Sequence, residues 1–165
     1  MVDFDKRAVR AAFQERLSAE LARAQKRAKD AVDGATHEEN RAEGDKDMRA
    51  TEASYVARGH SERVAEMEGA LARLNALELL DFGPDSRIAV SALIELEHRG
   101  RRLHYFLLPT AGGERVQSAG VEIQALNSQS PLGAALLGLV EGDEAELPGR
   151  AAGEPARVYE VVRVR

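Results

Sequence analysis

The chain has 165 residues, 23 Lys and Arg against 28 Asp and Glu, and a net charge of −5. That length holds one domain or two small ones, and the acidic balance excludes a protein that coats nucleic acid by neutralising phosphates. Cysteine and Trp are absent and aromatics amount to 4%, which excludes a disulfide framework, a thiolate nucleophile, Cys-ligated zinc and a stacking platform for nucleobases. The opening residues Met1-Val2-Asp3-Phe4-Asp5-Lys6 contain no apolar signal core. No run approaches the ~18 apolar residues of a membrane span, so a soluble, cytoplasmic protein is expected.

Residues 1–32 read as one helix, rich in Ala, Arg, Lys, Glu, Gln and Leu and free of Gly and Pro. Val9, Phe13, Leu17, Leu21, Ala24, Ala28 and Ala31 recur every three or four residues and form one apolar stripe. The stripe changes from large residues to alanine, so a partner helix comes closest near its end. This window is net +3, with Lys6, Arg7 and Arg10 near the start and Arg16, Arg23, Lys26, Arg27 and Lys29 further on; such a face is solvated by default.

Residues 33–47 break the pattern with Gly34, Gly44, Asn40 and a polar run, which marks a bend. Residues 33–52 carry seven acidic and three basic side chains, the one concentrated acidic window of the chain. Glu38, Glu39, Glu43, Asp45 and Asp47 are hard oxygen donors of the kind Mg²⁺ takes, since Mg²⁺ keeps several waters and needs only one or two protein carboxylates. Polar turns are also commonly rich in Asp and Glu for solvation alone. A second helix is expected over about 48–80, with a seam of Tyr55 or Val56, His60, Val64, Met67, Leu71, Leu74 and Leu77. Two stripes joined by one bend predict an antiparallel hairpin over 1–80, with an acidic tip at about 33–47 and a length of roughly 40 Å.

Asp81-Phe82-Gly83-Pro84-Asp85 ends the helical half. Residues 86–165 read as a small antiparallel β domain. Its strands are expected over 87–97, 101–108, 121–126, 143–147 and 157–165, with a turn at Ala111-Gly112-Gly113-Glu114 and a basic turn at Arg99-Gly100-Arg101-Arg102. Ser130-Pro131 opens a short helix over 131–140, with Ser130 as its cap and Pro where its missing N–H is tolerated. Leu132, Leu136 and Leu137 are expected to pack it on the sheet. The four histidines, His37, His60, His98 and His104, show no metal-binding spacing.

Over about 45 residues the order of these signals resembles the bacterial Gre transcript-cleavage factors. The matching stretches are Val121-Glu-Ile-Gln-Ala-Leu-Asn-Ser-Gln-Ser-Pro-Leu-Gly, Glu141-Gly-Asp-Glu-Ala-Glu-Leu-Pro-Gly-Arg and Val158-Tyr-Glu-Val-Val-Arg-Val. Ala134 stands where that family commonly has Arg, and the bend has no Asp-x-x-Glu pair, Asn40 with Glu43 being nearest. The resemblance implies an α+β protein, with a coiled-coil hairpin followed by an FKBP-like domain holding one short helix. It implies bacterial RNA polymerase as partner, which would make the protein nucleoid-associated through the polymerase, with the nascent RNA 3′ end touched only indirectly. Asn127, Ser130, Pro131 and Leu132 would dock on the polymerase rim. Glu38, Glu39 and Glu43 would serve catalysis, and with Asp45 and Asp47 would ligate a Mg²⁺ shared with the polymerase and not bound tightly by the free protein. The expected factor is a monomer and not an enzyme alone; it stimulates the nuclease activity of the polymerase on backtracked RNA. A non-cleaving modulator of the same channel is the alternative. A peptidyl-prolyl isomerase, suggested by the FKBP-like fold, lacks aromatic supply, because Tyr105, Phe106 and Tyr159 are the aromatics of the β domain beyond its boundary.

Overall fold

The computed structural model describes residues 4–39, 46–109 and 112–165, except for the side chains of 37–39 and 46–47. In chain order it contains α1 (Lys6–Glu39), α2 (Lys46–Asn75), β1 (Leu93–His98), β2 (Arg101–Leu108), β3 (Arg115–Ser118), β4 (Val121–Asn127), α3 (Pro131–Leu136), β5 (Glu144–Leu147) and β6 (Arg157–Val164). The architecture is a long helical hairpin followed by a six-stranded sheet with a short helix. The chain divides into two compact units, Gln14–Ala72 and Met1–Phe13 with Arg73–Arg165. No helix among the described residues is long and apolar enough to cross a membrane.

Within Gln14–Ala72 the seam of α1 is the one its sequence spells out. Leu17 and Ala24 are buried, Leu21, Ala28 and Ala31 are half-buried, and the stripe continues to buried Ala35. The seam of α2 runs through Ala50, Ala53, Ala57, His60, Val64, Met67 and Leu71, at alternating steps of three and four. Tyr55 and Val56, expected on that seam, are instead 69% and 56% exposed. The physical reason is width: alanines on α1 bring the helices too close for a Tyr, so Ala57 fills the position. Gln25 Nε2 donates to Glu68 Oε1 across the pair at 3.1 Å. The helices also reach further into the bend than expected. α1 continues through Asp33 and Gly34 to Glu39, and α2 begins at Lys46. A helical Gly costs only ~1 kcal/mol, and the stripe carried on by Ala31 and Ala35 offsets it. At its other end α2 stops at Asn75, five residues before the expected Leu80.

In the other unit the strand order is β3-β4-β2-β1-β6-β5. β1 pairs antiparallel with β2 (Leu93↔Phe106) and with β6 (Ile94↔Val164), while β4 lies parallel to β2 (His104↔Ile123). The sheet is therefore mixed, where sequence suggests purely antiparallel strands. The cause is β3, a strand absent from the sequence reading. Ala119 and Gly120, both at positive φ, turn β3 back into β4, and the resulting hairpin lays β4 beside β2 in the parallel sense. Strand β1 starts six residues later than the expected 87; the preceding stretch is tied by Ile88 N donating to Leu139 O at 2.8 Å.

One sheet face packs Ile94, Leu96, Leu107, Leu126, Val161 and Val164 with Leu136 of α3. Alternation sends Phe106 to the opposite face, where Phe13 of α1 stacks on it with ring centroids 6.0 Å apart. Val9, one turn earlier, is fully buried. Lys6 donates to Leu80 O and lies 4.5 Å over the Phe82 ring, and Arg10 Nη1 donates to Leu77 O at 2.9 Å. Two of the three charges at the start of α1 thus hold the 77–82 segment.

Candidate functional site

The turn between β4 and α3 is built from its own polar groups. Ser130 Oγ accepts from Gly133 N at 3.1 Å and donates to Asn127 O at 2.7 Å; Asn127 Oδ1 accepts from Gln129 N at 2.8 Å. Ser130 N also donates to Asn127 O at 3.0 Å, and Ser128 N donates to Leu108 O at 2.8 Å. Ser130 is the N-cap of α3, with Pro131 at the first helical position. Gly133 is demanded by closeness rather than by φ, because a Cβ there would stand 2.1 Å from Asn127 O.

The four expected docking residues therefore form one rigid feature with divided roles. Asn127 and Ser130 hold the turn. Leu132 is half-buried against the core, and Pro131 is exposed with its neighbour Gln129. Leu137, expected against the sheet, is 42% exposed. The helix ends at Leu136, and the cap residue Leu137 leaves helical geometry at ψ 126°, so its side chain no longer follows the buried stripe. Sequence reading misses Gln129 and Leu137 as outward residues. The available signal is Gly138: the helix ends at Leu136, four residues before the expected 140, and Gly138 follows at positive φ.

Of the tip carboxylates, Glu38 and Glu39 fall in the last turn of α1 and Asp47 in the first turn of α2, with side chains outside the described set. Glu43 and Asp45 lie outside the described residues, and the His37 side chain does too. Among the described residues no three His, Asp or Glu side chains gather as metal ligands.

Elsewhere, His60 is half-buried on the α2 seam. His98 Nδ1 lies 2.7 Å from Val158 O, and the ring stacks on Tyr159 at 4.3 Å. Burial pushes the Lys6 ammonium down to about 8, against the pull of the Asp81 carboxylate. Burial also lowers His104, and it raises the Tyr105 phenol.

No family model and no curated protein matches the chain. Solved structures do. The Gfh1 protein (GreA factor homolog 1) of Thermus thermophilus is 24% identical, with 92% of this chain and 94% of that chain covered at a TM-score of 0.37. Thermus aquaticus Gfh1 is 22% identical over 93% and 94% at 0.39. The prokaryotic transcription elongation factor GreA/GreB from Nitrosomonas europaea is 23% identical over 59% and 78% at 0.36. The solved structures that this chain resembles are thus transcription factors of the Gre type, at a similarity too low for their activities to be carried across.

Proposed function

We propose that this chain is a bacterial RNA polymerase factor that docks through the Asn127–Leu132 turn and presents the carboxylates of its hairpin tip to the polymerase active centre. The observation that carries the reading is the Ser130-capped turn. A Ser-Pro helix start, locked on the sheet by its own hydrogen bonds, coexists in one chain with a long hairpin whose bend is acidic. The sequence resemblance joins these same two features. At the tip, Glu38, Glu39, Glu43, Asp45 and Asp47 are the oxygen donors Mg²⁺ prefers. Mg²⁺ held there with the polymerase would polarise a phosphoryl oxygen of backtracked RNA. The chain's own part is to deliver and orient carboxylates, which makes it an accessory to cleavage.

A stalled, backtracked elongation complex tests this. Wild-type protein with Mg²⁺ is expected to shorten the RNA 3′ end. The triple variant Glu38→Ala, Glu39→Ala, Glu43→Ala is expected to lose at least ~100-fold in cleavage rate, the scale of losing a transition-state electrostatic group, while still binding polymerase. Loss of binding in that variant would remove the division between docking and tip. A second reading rests on Asn40, which leaves Glu43 without the carboxylate three residues before it. On that reading the factor occupies the channel without cleaving, and wild-type protein binds while the RNA stays intact.

A further inference from the structure

One edge of the sheet is open. β5 ends the strand order and pairs with β6 alone. Just before β5, Val161 N donates to Asp143 O at 2.8 Å. Along an antiparallel ladder, hydrogen-bonded and non-bonded pairs alternate. Counted from that bond, Ala145↔Tyr159 and Leu147↔Arg157 are bonded pairs, whereas Glu144↔Glu160 and Glu146↔Val158 are not. The backbone N–H and C=O groups of Glu144 and Glu146 therefore point away from β6, and no described residue pairs with them.

Side-chain alternation gives this edge a charge. Ala145 and Leu147 turn into the core beside Leu136 of α3. Glu144 and Glu146 stand exposed on the opposite face, opposite Glu160 and the 41% exposed Val158 of β6. Glu144, Glu160 and Glu97 form one cross-strand row over β5, β6 and β1. Like charges placed directly opposite are destabilising. Among the described residues only Glu97 of this row has a cation, Arg102 at 3.2 Å, and Arg102 also reaches Glu95 at 3.3 Å. Glu144, Glu146 and Glu160 have no ion pair among the described residues.

This charge decides what can cover the edge. Nucleic-acid phosphates and anionic lipid are repelled. A second copy's β5 would set Glu144 and Glu146 against the same two residues. An extended segment with a basic residue at every second position meets both demands. Each such residue pairs its backbone with the edge and sets its cation beside a carboxylate on the same face.

We propose that the open edge of β5 binds an extended segment of a partner protein that carries Lys or Arg at alternate positions. The segment adds to the sheet as a further strand beside Glu144–Leu147. This edge needs neither polymerase nor the hairpin tip in order to act.

The test is backbone amide NMR with hydrogen exchange on the whole chain at low salt, using the peptide Lys-Val-Lys-Val-Lys-Val-Lys as probe. Saturable shifts centred on residues 144–147 are expected, half-complete at about 1 mM or below, with slowed exchange of the Glu144 and Glu146 amides. The same peptide methylated on its lysine backbone nitrogens keeps its charge but loses its ladder donors, and should bind at least about tenfold more weakly. Glu144→Gln with Glu146→Gln should weaken the Lys peptide roughly three- to tenfold. The melting midpoint of that variant should not fall, because the change relieves opposed like charges. Equal affinity for the methylated peptide would overturn the strand, as would full affinity in the Gln variant. Self-association of the chain alone that covers residues 144–147 would assign the edge to a second copy and overturn the proposal too.

Discussion

Glycine has opposite meanings at two positions of this chain. At Gly133 a methyl group would meet Asn127 O at 2.1 Å, and Asn127 cannot retreat without releasing Ser130 and Gln129. Gly133→Ala is expected to destabilise the sheet unit by about 2–3 kcal/mol and, on the proposed function, to weaken binding of polymerase with it. At Gly34 a Cβ meets nothing within 4 Å and the backbone is helical. Gly34→Ala is expected to stabilise by up to ~1 kcal/mol. Urea denaturation of the two variants reads both signs. Sequence reads Gly34 as part of a bend and Gly133 as part of a helix; only the neighbour at 2.1 Å shows which of the two must stay glycine.

Lys6 provides a pH signature at the same scale. Its folded pKa of about 8 lies below the ordinary lysine value of 10.5, so between these values the folded chain binds fewer protons than the unfolded chain. Stability therefore rises with pH across that window. Tyr105, raised by burial, acts in the opposite sense at the alkaline end. The expected observation is a difference: the melting midpoint of wild type relative to Lys6→Met climbs from about pH 8 to about pH 10. A constant difference would remove the burial of the ammonium as its cause.

At the scale of elements, the hairpin is legible in sequence where side chains are large and misleading where they are small. Leu17, Met67 and Leu74 are buried as their spacing predicts, because a bulky apolar residue every three or four positions marks a covered helix face. Ala53 and Ala57 stand out less than Tyr55 and Val56, since alanine signals a close approach only once the opposite stripe is known. The phase is checked by two truncations. Met67→Ala, on the seam, is expected to cost about 2 kcal/mol or more, whereas Tyr55→Ala should stay within about 0.5 kcal/mol. Equal losses, followed by amide exchange in the two helices, would reject this seam. Among the strands, β6 and β5 are readable from alternation. β3 is four residues long and its turn is Ala-Gly, too little pattern to register.

At the scale of the whole molecule, the Ser130-capped turn is readable because Ser-Pro, a cap and a proline at the first helical position are local chemistry. Sequence does not reveal that Val9 and Phe13, counted as hairpin stripe, lie against the sheet. The stripe's period is the same whichever surface covers it.

That packing bears on how the chain is made. The hairpin needs only residues near one another in sequence, so it can form while synthesis continues. The sheet unit cannot: central β1 is flanked by β6, which follows every other strand in the chain. Until β2 emerges, Phe13 lacks the Phe106 ring it stacks on. A ribosome therefore releases a finished hairpin before a finished sheet, and for that interval the Phe13 ring is open to a chaperone.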